Sequence, residues 1–274
     1  MSTLKLALIQ MRSGIDTERN IDDASAMIRE AAANGARLIL TPETTNLVQR
    51  DGEALFDTLR APDEAPSMVR FADLAEELSI DLVIGSLALL GEDGRAVNRQ
   101  VVFGSEGQVK ARYDKIHMFD VSLGAGETYS ESTHYAPGDQ AVTVEVAGQT
   151  LGLSICYDVR FAALYRRLAK AGATLISVPS AFTKVTGRAH WEILLRARAI
   201  ETGSFILAPA QGGLHEDGRK TWGRSMVVGP WGDIIASFDH DEPGILYADI
   251  DPADALKARA RLPSLTGDRE FTGP

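Results

Sequence analysis

Three times in this chain a helical stretch ends at a glycine and gives way within two residues to a short apolar run. Ile21, Ala24, Ile28 and Ala31 recur at helical spacing up to Gly35, and Ala36 to Thr41 follows as a strand. Phe161 to Ala171 repeats the pattern through Gly172 into Thr174 to Pro179, and Ala189 to Thr202 repeats it through Gly203 into Ser204 to Pro209. Glycine accepts the left-handed turn that closes a helix, so each of these glycines reads as a C-terminal cap. Leu4 to Met11 supplies a first strand, and Pro66 to Leu78 reads as a further helix leading to the strand Asp81 to Leu90. Such alternation implies an α/β fold in which helices cover sheet. Val97 to Val109, with Gly104 and Gly107, and Met226 to Phe238, turning over residues 229–232, read as hairpins, so the sheets are expected to be mixed.

No Pro/Ser-rich or single-charge run interrupts the pattern from Met1 to Tyr247, and residues 1–274 are read as one domain. Ala253 to Arg261 reads as a short basic helix. The Pro- and Gly-containing tail that follows is too sparse in apolar residues to build a core of its own.

With 38 Asp and Glu against 28 Lys and Arg, the formal charge is −10, which offers no basic surface for nucleic-acid phosphates or anionic lipid. The longest apolar runs fall short of the roughly 20 residues that a membrane helix needs, and the N-terminal run is too short for a signal peptide. The expectation is a cytoplasmic protein whose partner is a small molecule. One cysteine, Cys156, excludes an internal disulfide and a multi-cysteine metal cluster. It is either buried filler or a reactive thiol.

Leu151 to Cys156 reads as a buried strand that ends on the cysteine, and residues 157–160 lead into the next helix. Amides at a helix start favour negative charge, so this elbow is a place where a thiolate would be stabilised. Two other residues of opposite charge sit in apolar company. Glu43 follows Leu38 to Pro42, where the chain leaves the sheet, and a carboxylate there could take a proton. Lys115 is interleaved with Ile116, Met118 and Phe119 and could steady a developing oxyanion, or could snorkel to the surface. Glu131 lies in a loop and says little alone.

Thr41-Pro-Glu43, Tyr113-Asp-Lys115-Ile-His-Met-Phe-Asp120 and Ser154-Ile-Cys156-Tyr-Asp-Val-Arg160-Phe resemble, in order, the three signature segments of the nitrilase superfamily of carbon–nitrogen hydrolases. The resemblance implies a four-layer α-β-β-α sandwich with Glu43, Lys115 and Cys156 converging as a Glu-Lys-Cys triad. It implies Glu43 as general base and acid, Cys156 as nucleophile, and Lys115 with the Tyr157 N–H around the oxyanion. A thioester would form, ammonia or an amine would leave, and no metal or organic cofactor would be required. Glu131 aligns with a supporting carboxylate of related amidases, with Glu127 as the competing candidate. Arg160 matches an arginine that binds a substrate carboxylate in carbamoyl-amino-acid hydrolases, the alternative being an ion pair with Asp158 or another local carboxylate.

Residues 179–183, 186–192 and 195–202 look most like the amidase branch that includes deaminated glutathione amidase and omega-amidase. Tyr157, Arg160, Phe182 and Thr183 are expected to bind the substrate, and the former activity is the leading expectation. Omega-amidase, N-carbamoyl amino acid hydrolase and a catalytically silent assembly member are the alternatives. The resemblance also implies a homodimer or higher homo-oligomer, with residues from about 253 to 274 docking at the subunit interface.

Overall fold

In the computed structural model, which describes residues 3–124 and 127–273, most strands fall in two mixed sheets, beside two small two-stranded ones. The first runs Gly244–Ile250, Leu4–Gln10, Leu38–Leu40, Asp81–Leu90, Ala96–Phe103 and Val109–Asp114. The second runs Ile234–Ser237, Met226–Val228, Phe205–Ala208, Leu175–Ser177, Gln149–Gly152 and Thr143–Val146. In each sheet three successive strands are parallel and the strands flanking them are antiparallel. Both hairpins read from the sequence are present.

Period-2 alternation divides each strand between two cores. Ala7 and Ile9 face outward onto helices α1 (Thr17–Ala33) and, after the short α2 (Gly52–Thr58), α3 (Pro66–Leu78), meeting Ile21, Ile28 and Phe71. Leu4, Leu6 and Leu8 face inward and share a core with Leu151, Leu175 and Val227 of the second sheet. Helices α4 (Ala162–Lys170) and α5 (Lys184–Thr202) cover the far side of that sheet, so the layers run α-β-β-α. A buried polar contact ties the sheets together, Gln100 Nε2 donating to Ser177 Oγ at 3.0 Å.

Two elements depart from the sequence reading. Helix α5 begins at Lys184 rather than Ala189, because Thr183 Oγ1 accepts from the Thr186 N–H and caps it, while Gly187 fits against the Trp222 side chain. The strand expected to end on Cys156 stops at Gly152. Residues 153–155 leave the ladder, and a 3₁₀ turn, Cys156–Arg160, intervenes before α4.

The last helix, α6 (Ala253–Arg261), and the tail pack on the same chain. The Arg259 guanidinium donates to the carbonyls of Thr202 and Ala173 at 3.1 and 2.5 Å, and Arg166 of α4 pairs with Asp268 and donates to the Ser264 carbonyl. Among the described residues no helix is long and apolar enough to cross a membrane.

Candidate active site

Ligand sites in parallel sheets gather at the carboxyl ends of the strands, and here the carboxyl ends of both sheets converge. Glu43 follows Leu38–Leu40, Cys156 follows Gln149–Gly152, and Ala181 follows Leu175–Ser177. Gly85 permits the approach. A Cβ at that position would lie 2.0 Å from the Thr41 carbonyl oxygen and 2.5 Å from Pro179 Cβ, so any side chain would push the Glu43 and Ala181 loops apart. Thr44 and Cys156 both hold left-handed backbone, at φ 53° and 49°, a conformation that costs a non-glycine residue free energy. The Cys156 N–H donates to the Pro179 carbonyl at 2.9 Å, and the Thr44 N–H donates to Ser86 Oγ at 2.7 Å, fixing both turns.

Two of the expected carboxylates meet around one expected cation. Lys115 Nζ donates to Glu43 Oε1 at 2.9 Å and to Glu131 Oε2 at 2.8 Å, with Glu131 Oε1 at 3.0 Å. Glu43 Oε2 accepts the Ala181 N–H at 2.8 Å, and Glu131 Oε2 accepts the Phe119 N–H at 2.7 Å. Glu43 and Lys115 are buried, at 4% and 2% exposure, so their charges are sustained by one another and not by water. Burial by itself would raise the proton affinity of Glu43. The Lys115 charge, with hydrogen bonds from Cys156, Lys115 and Asn98, outweighs it and holds the carboxyl below the usual range. Burial pulls Lys115 down, yet Glu131 and Glu43 together push it well above an ordinary lysine.

The thiol behaves differently from the expectation of an elbow that stabilises thiolate. Burial, the Glu43 charge and a hydrogen bond to Glu43 push Cys156 well above an ordinary thiol, against the opposing pull of Lys115 and the Ala181 N–H. The resting sulfur is therefore protonated, and it lines the same cavity as the Glu43 carboxylate.

Glu131 is the loop glutamate that reaches Lys115, whereas Glu127 accepts a hydrogen bond from the Tyr129 hydroxyl at 2.8 Å. Tyr157, Arg160, Phe182 and Thr183 line a cavity of about 330 Å³ together with Cys156, Lys115 and both glutamates. The Thr183 hydroxyl is already engaged as the α5 cap. Arg160 does not pair with Asp158. Its guanidinium donates to His190 Nδ1 at 3.3 Å and lies over the rings of Tyr157 and Phe182, with no carboxylate within 4.0 Å among the described residues. Trp191 packs in the core, its Nε1 donating to the Arg224 carbonyl.

Two residues that the sequence reading missed hold the cluster. Asn98 Nδ2 donates to Glu43 Oε1 at 3.0 Å and to Glu131 Oε1 at 3.2 Å, bridging both carboxylates. Asp158, fully buried, accepts from the Tyr113 hydroxyl at 2.7 Å, the Ile155 N–H at 2.9 Å and the His117 N–H at 3.1 Å, with His117 Nδ1 at 2.7 Å. It thereby ties the Lys115 segment to the Cys156 turn. A buried carboxylate and a thiol lining one cavity, with a fixed ammonium paired to that carboxylate, form an arrangement suited to nucleophilic attack on a carbonyl.

The family model for Carbon-nitrogen hydrolase matches residues 5–260. The chain belongs to the carbon–nitrogen hydrolase family. Among curated relatives, the hydrolase is 38% identical over 264 residues to a deaminated glutathione amidase of Synechocystis sp., covering 94% of this chain and 96% of that protein. It is 35% identical to omega-amidase NIT2 of Homo sapiens, covering 96% and 94% respectively. Among solved structures, the NitFhit protein of C. elegans superposes with a TM-score of 0.90 at 33% identity, over 98% of this chain and 66% of that longer one. These likenesses give the four-layer sandwich as a carbon–nitrogen hydrolase fold, and the protein as an enzyme of that family.

Proposed function

We propose that the enzyme is an amidase that cleaves a small carboxylate-bearing amide through a thioester on Cys156, with deaminated glutathione as its substrate. The observation that carries the reading is the buried Lys115 ammonium between Glu43 and Glu131, in the cavity that the Cys156 thiol lines. The substrate is suggested by the 38% identical relative of that name.

In this mechanism the sulfur attacks the amide carbonyl as its proton passes to Glu43. Coupling these events avoids the free thiolate that burial disfavours. The oxyanion is held by Lys115 Nζ and by the Tyr157 N–H, which lies in the first turn of the 3₁₀ segment, where amides lack intrahelical acceptors. Collapse breaks the C–N bond as Glu43 returns the proton to nitrogen. A water then enters, gives a proton to Glu43 and attacks the thioester, and the proton returns to sulfur as the carboxylic acid leaves. Glu131 takes no proton and keeps Lys115 charged and oriented.

Deaminated glutathione keeps the peptide link of its parent, so the group expelled is a dipeptide amine, whereas an omega-amide expels ammonia. An assay for ammonia alone would miss the first reaction. The deciding experiment incubates wild type and Cys156→Ala with deaminated glutathione and with succinamate, and reads acids, amines and intact protein mass by mass spectrometry. Turnover by Cys156→Ala would overturn the mechanism. Preference for the ammonia-releasing substrate would favour the omega-amidase reading, which rests on the 35% identity to that relative.

The reading includes a reducing, cytoplasmic setting, in keeping with one free thiol, and a homodimer. Ile193 and Ile200 on the outer face of α5, with Trp231 and Leu262, are exposed and apolar, which supports a partner subunit on that side, next to α6 and the tail. Light scattering at micromolar concentration would reject the dimer by a monomer mass.

A further inference from the structure

The cavity above Cys156 carries two separate cationic poles. At one, the Arg160 guanidinium lies over the Tyr157 ring at 5.6 Å. Phe119 stands between Tyr157 and Tyr129, its ring centroid 5.1 Å from each. Beyond it, Arg50 and Arg219 both act electrostatically on the Tyr129 hydroxyl. These two arginines come from distant stretches of chain: Arg50 precedes α2, and Arg219 sits in the turn joining Gly212–Leu214 to Lys220–Trp222. Both line the cavity.

Their charges are poorly met by the protein. Arg219 has one carboxylate near it, Asp217 Oδ2 at 3.9 Å, too far for a hydrogen bond, and its buried Nε has no partner. Arg50 has no carboxylate within 4.0 Å among the described residues. Glu127 touches the Tyr129 hydroxyl but pairs with neither arginine. The other anionic groups lining the cavity, Glu43 and Glu131, are engaged by Lys115. In a chain of net charge −10, two guanidinium groups with no carboxylate within 4.0 Å among the described residues and a third, Arg219, whose one carboxylate stands at 3.9 Å, call for anionic groups on the ligand.

We propose that Arg50 and Arg219 form a second carboxylate clamp, so that the enzyme selects amides bearing a carboxylate at each end: Arg160 takes one and the Arg50/Arg219 pair takes the other. The row Tyr157, Phe119 and Tyr129 forms the apolar wall between them. This inference rests on the amidase reading for what the ligand is, but it concerns recognition and is separable from turnover. It makes Arg50 and Arg219 specificity-determining residues that discriminate dicarboxylate amides from monocarboxylate amides such as succinamate.

The test measures binding in the Cys156→Ala background by calorimetry and turnover in the wild-type background. The probes are deaminated glutathione, with two carboxylates, and succinamate, with one. Arg50→Gln and Arg219→Gln should each cut the preference for the dicarboxylate by about 10- to 100-fold, and the Lys variants should recover part of it. Arg160→Gln should weaken both ligands. A preference unmoved by either Gln variant, or Lys variants as poor as Gln, would overturn the clamp. Should wild type turn over neither amide while the binding preference shifts as expected, the amidase reading falls and the clamp stands.

Discussion

Replacing Asn98 with Leu keeps the side chain's volume and removes the donor that bridges Glu43 and Glu131. A hydrogen bond to a charged group contributes about 1.5–3 kcal/mol, so losing the bond to Glu43 should raise that carboxyl's proton affinity. The sign follows from the role proposed for Glu43 as the base. It must be ionised to act, its folded value lies below the usual range, and removing a donor brings it upward. The acid limb of kcat/KM for amide hydrolysis should therefore move to higher pH, with the loss largest under acid conditions. Stability should change less. The Oδ1 of Asn98 is buried without a partner, and its removal offsets part of the lost bonding, leaving a net cost of about 1–2 kcal/mol by urea denaturation. Because Glu43 is depressed on folding, it contributes stability that is present above its unfolded value and lost as pH falls through the folded one. The variant should lose less stability than wild type on acidification. An acid limb that stays in place, or an equal loss of rate at every pH, would refute this role for Asn98.

Cys156 is the only thiol, so the difference in ultraviolet thiolate absorbance between wild type and Cys156→Ala reads its ionisation directly. No step should occur between pH about 6 and about 9, and a thiolate already present at neutral pH would contradict the protonated resting sulfur. Gly85→Ala places a methyl against the Thr41 and Pro42 carbonyls, and should lower kcat by about 100-fold through a displaced Glu43 while costing about 1–3 kcal/mol of stability. Full activity in that variant would show that the two loops tolerate separation. Asp158→Asn replaces an acceptor of bonds from Tyr113, Ile155 and His117 with a group that has a single acceptor oxygen, and should cost about 3 kcal/mol in urea. An unchanged unfolding midpoint would remove Asp158 from the scaffold.

Glu43 and Cys156 are legible chiefly because they sit in ordered segments resembling the family signatures, since a polar group after an apolar run leaves the structural reading open. Lys115 is legible in the same way, through the segment Tyr113 to Asp120. Asn98 has no such signature: on an alternating strand it reads as an ordinary polar residue, and its meaning arises only when two loops distant in sequence bring Glu43 and Glu131 to the same amide. Arg50 and Arg219 are hidden likewise, since each sits in loop sequence where a charged residue is unremarkable on its own. The start of α5 was missed because its cap, Thr183, precedes a Gly187 that argues against helix until Trp222 is seen packed on it.

The protonation of Cys156 is the most instructive case. A strand-to-helix elbow suggests a stabilised thiolate, but the turn here is a short 3₁₀ segment, and at 7% exposure the burial of the sulfur outweighs what a few amides can supply. Net charge in the cluster makes the same demand. Glu43 and Glu131 already exceed Lys115 by one negative charge, and a thiolate would add a second in a site with little water to screen it. Attack on a carbonyl removes that conflict, because the thiol proton neutralises Glu43 while negative charge develops on the substrate oxygen, and no free thiolate forms. The site is thus arranged against the resting anion and for the transition state, and that balance depends on burial and separation that only the folded chain sets.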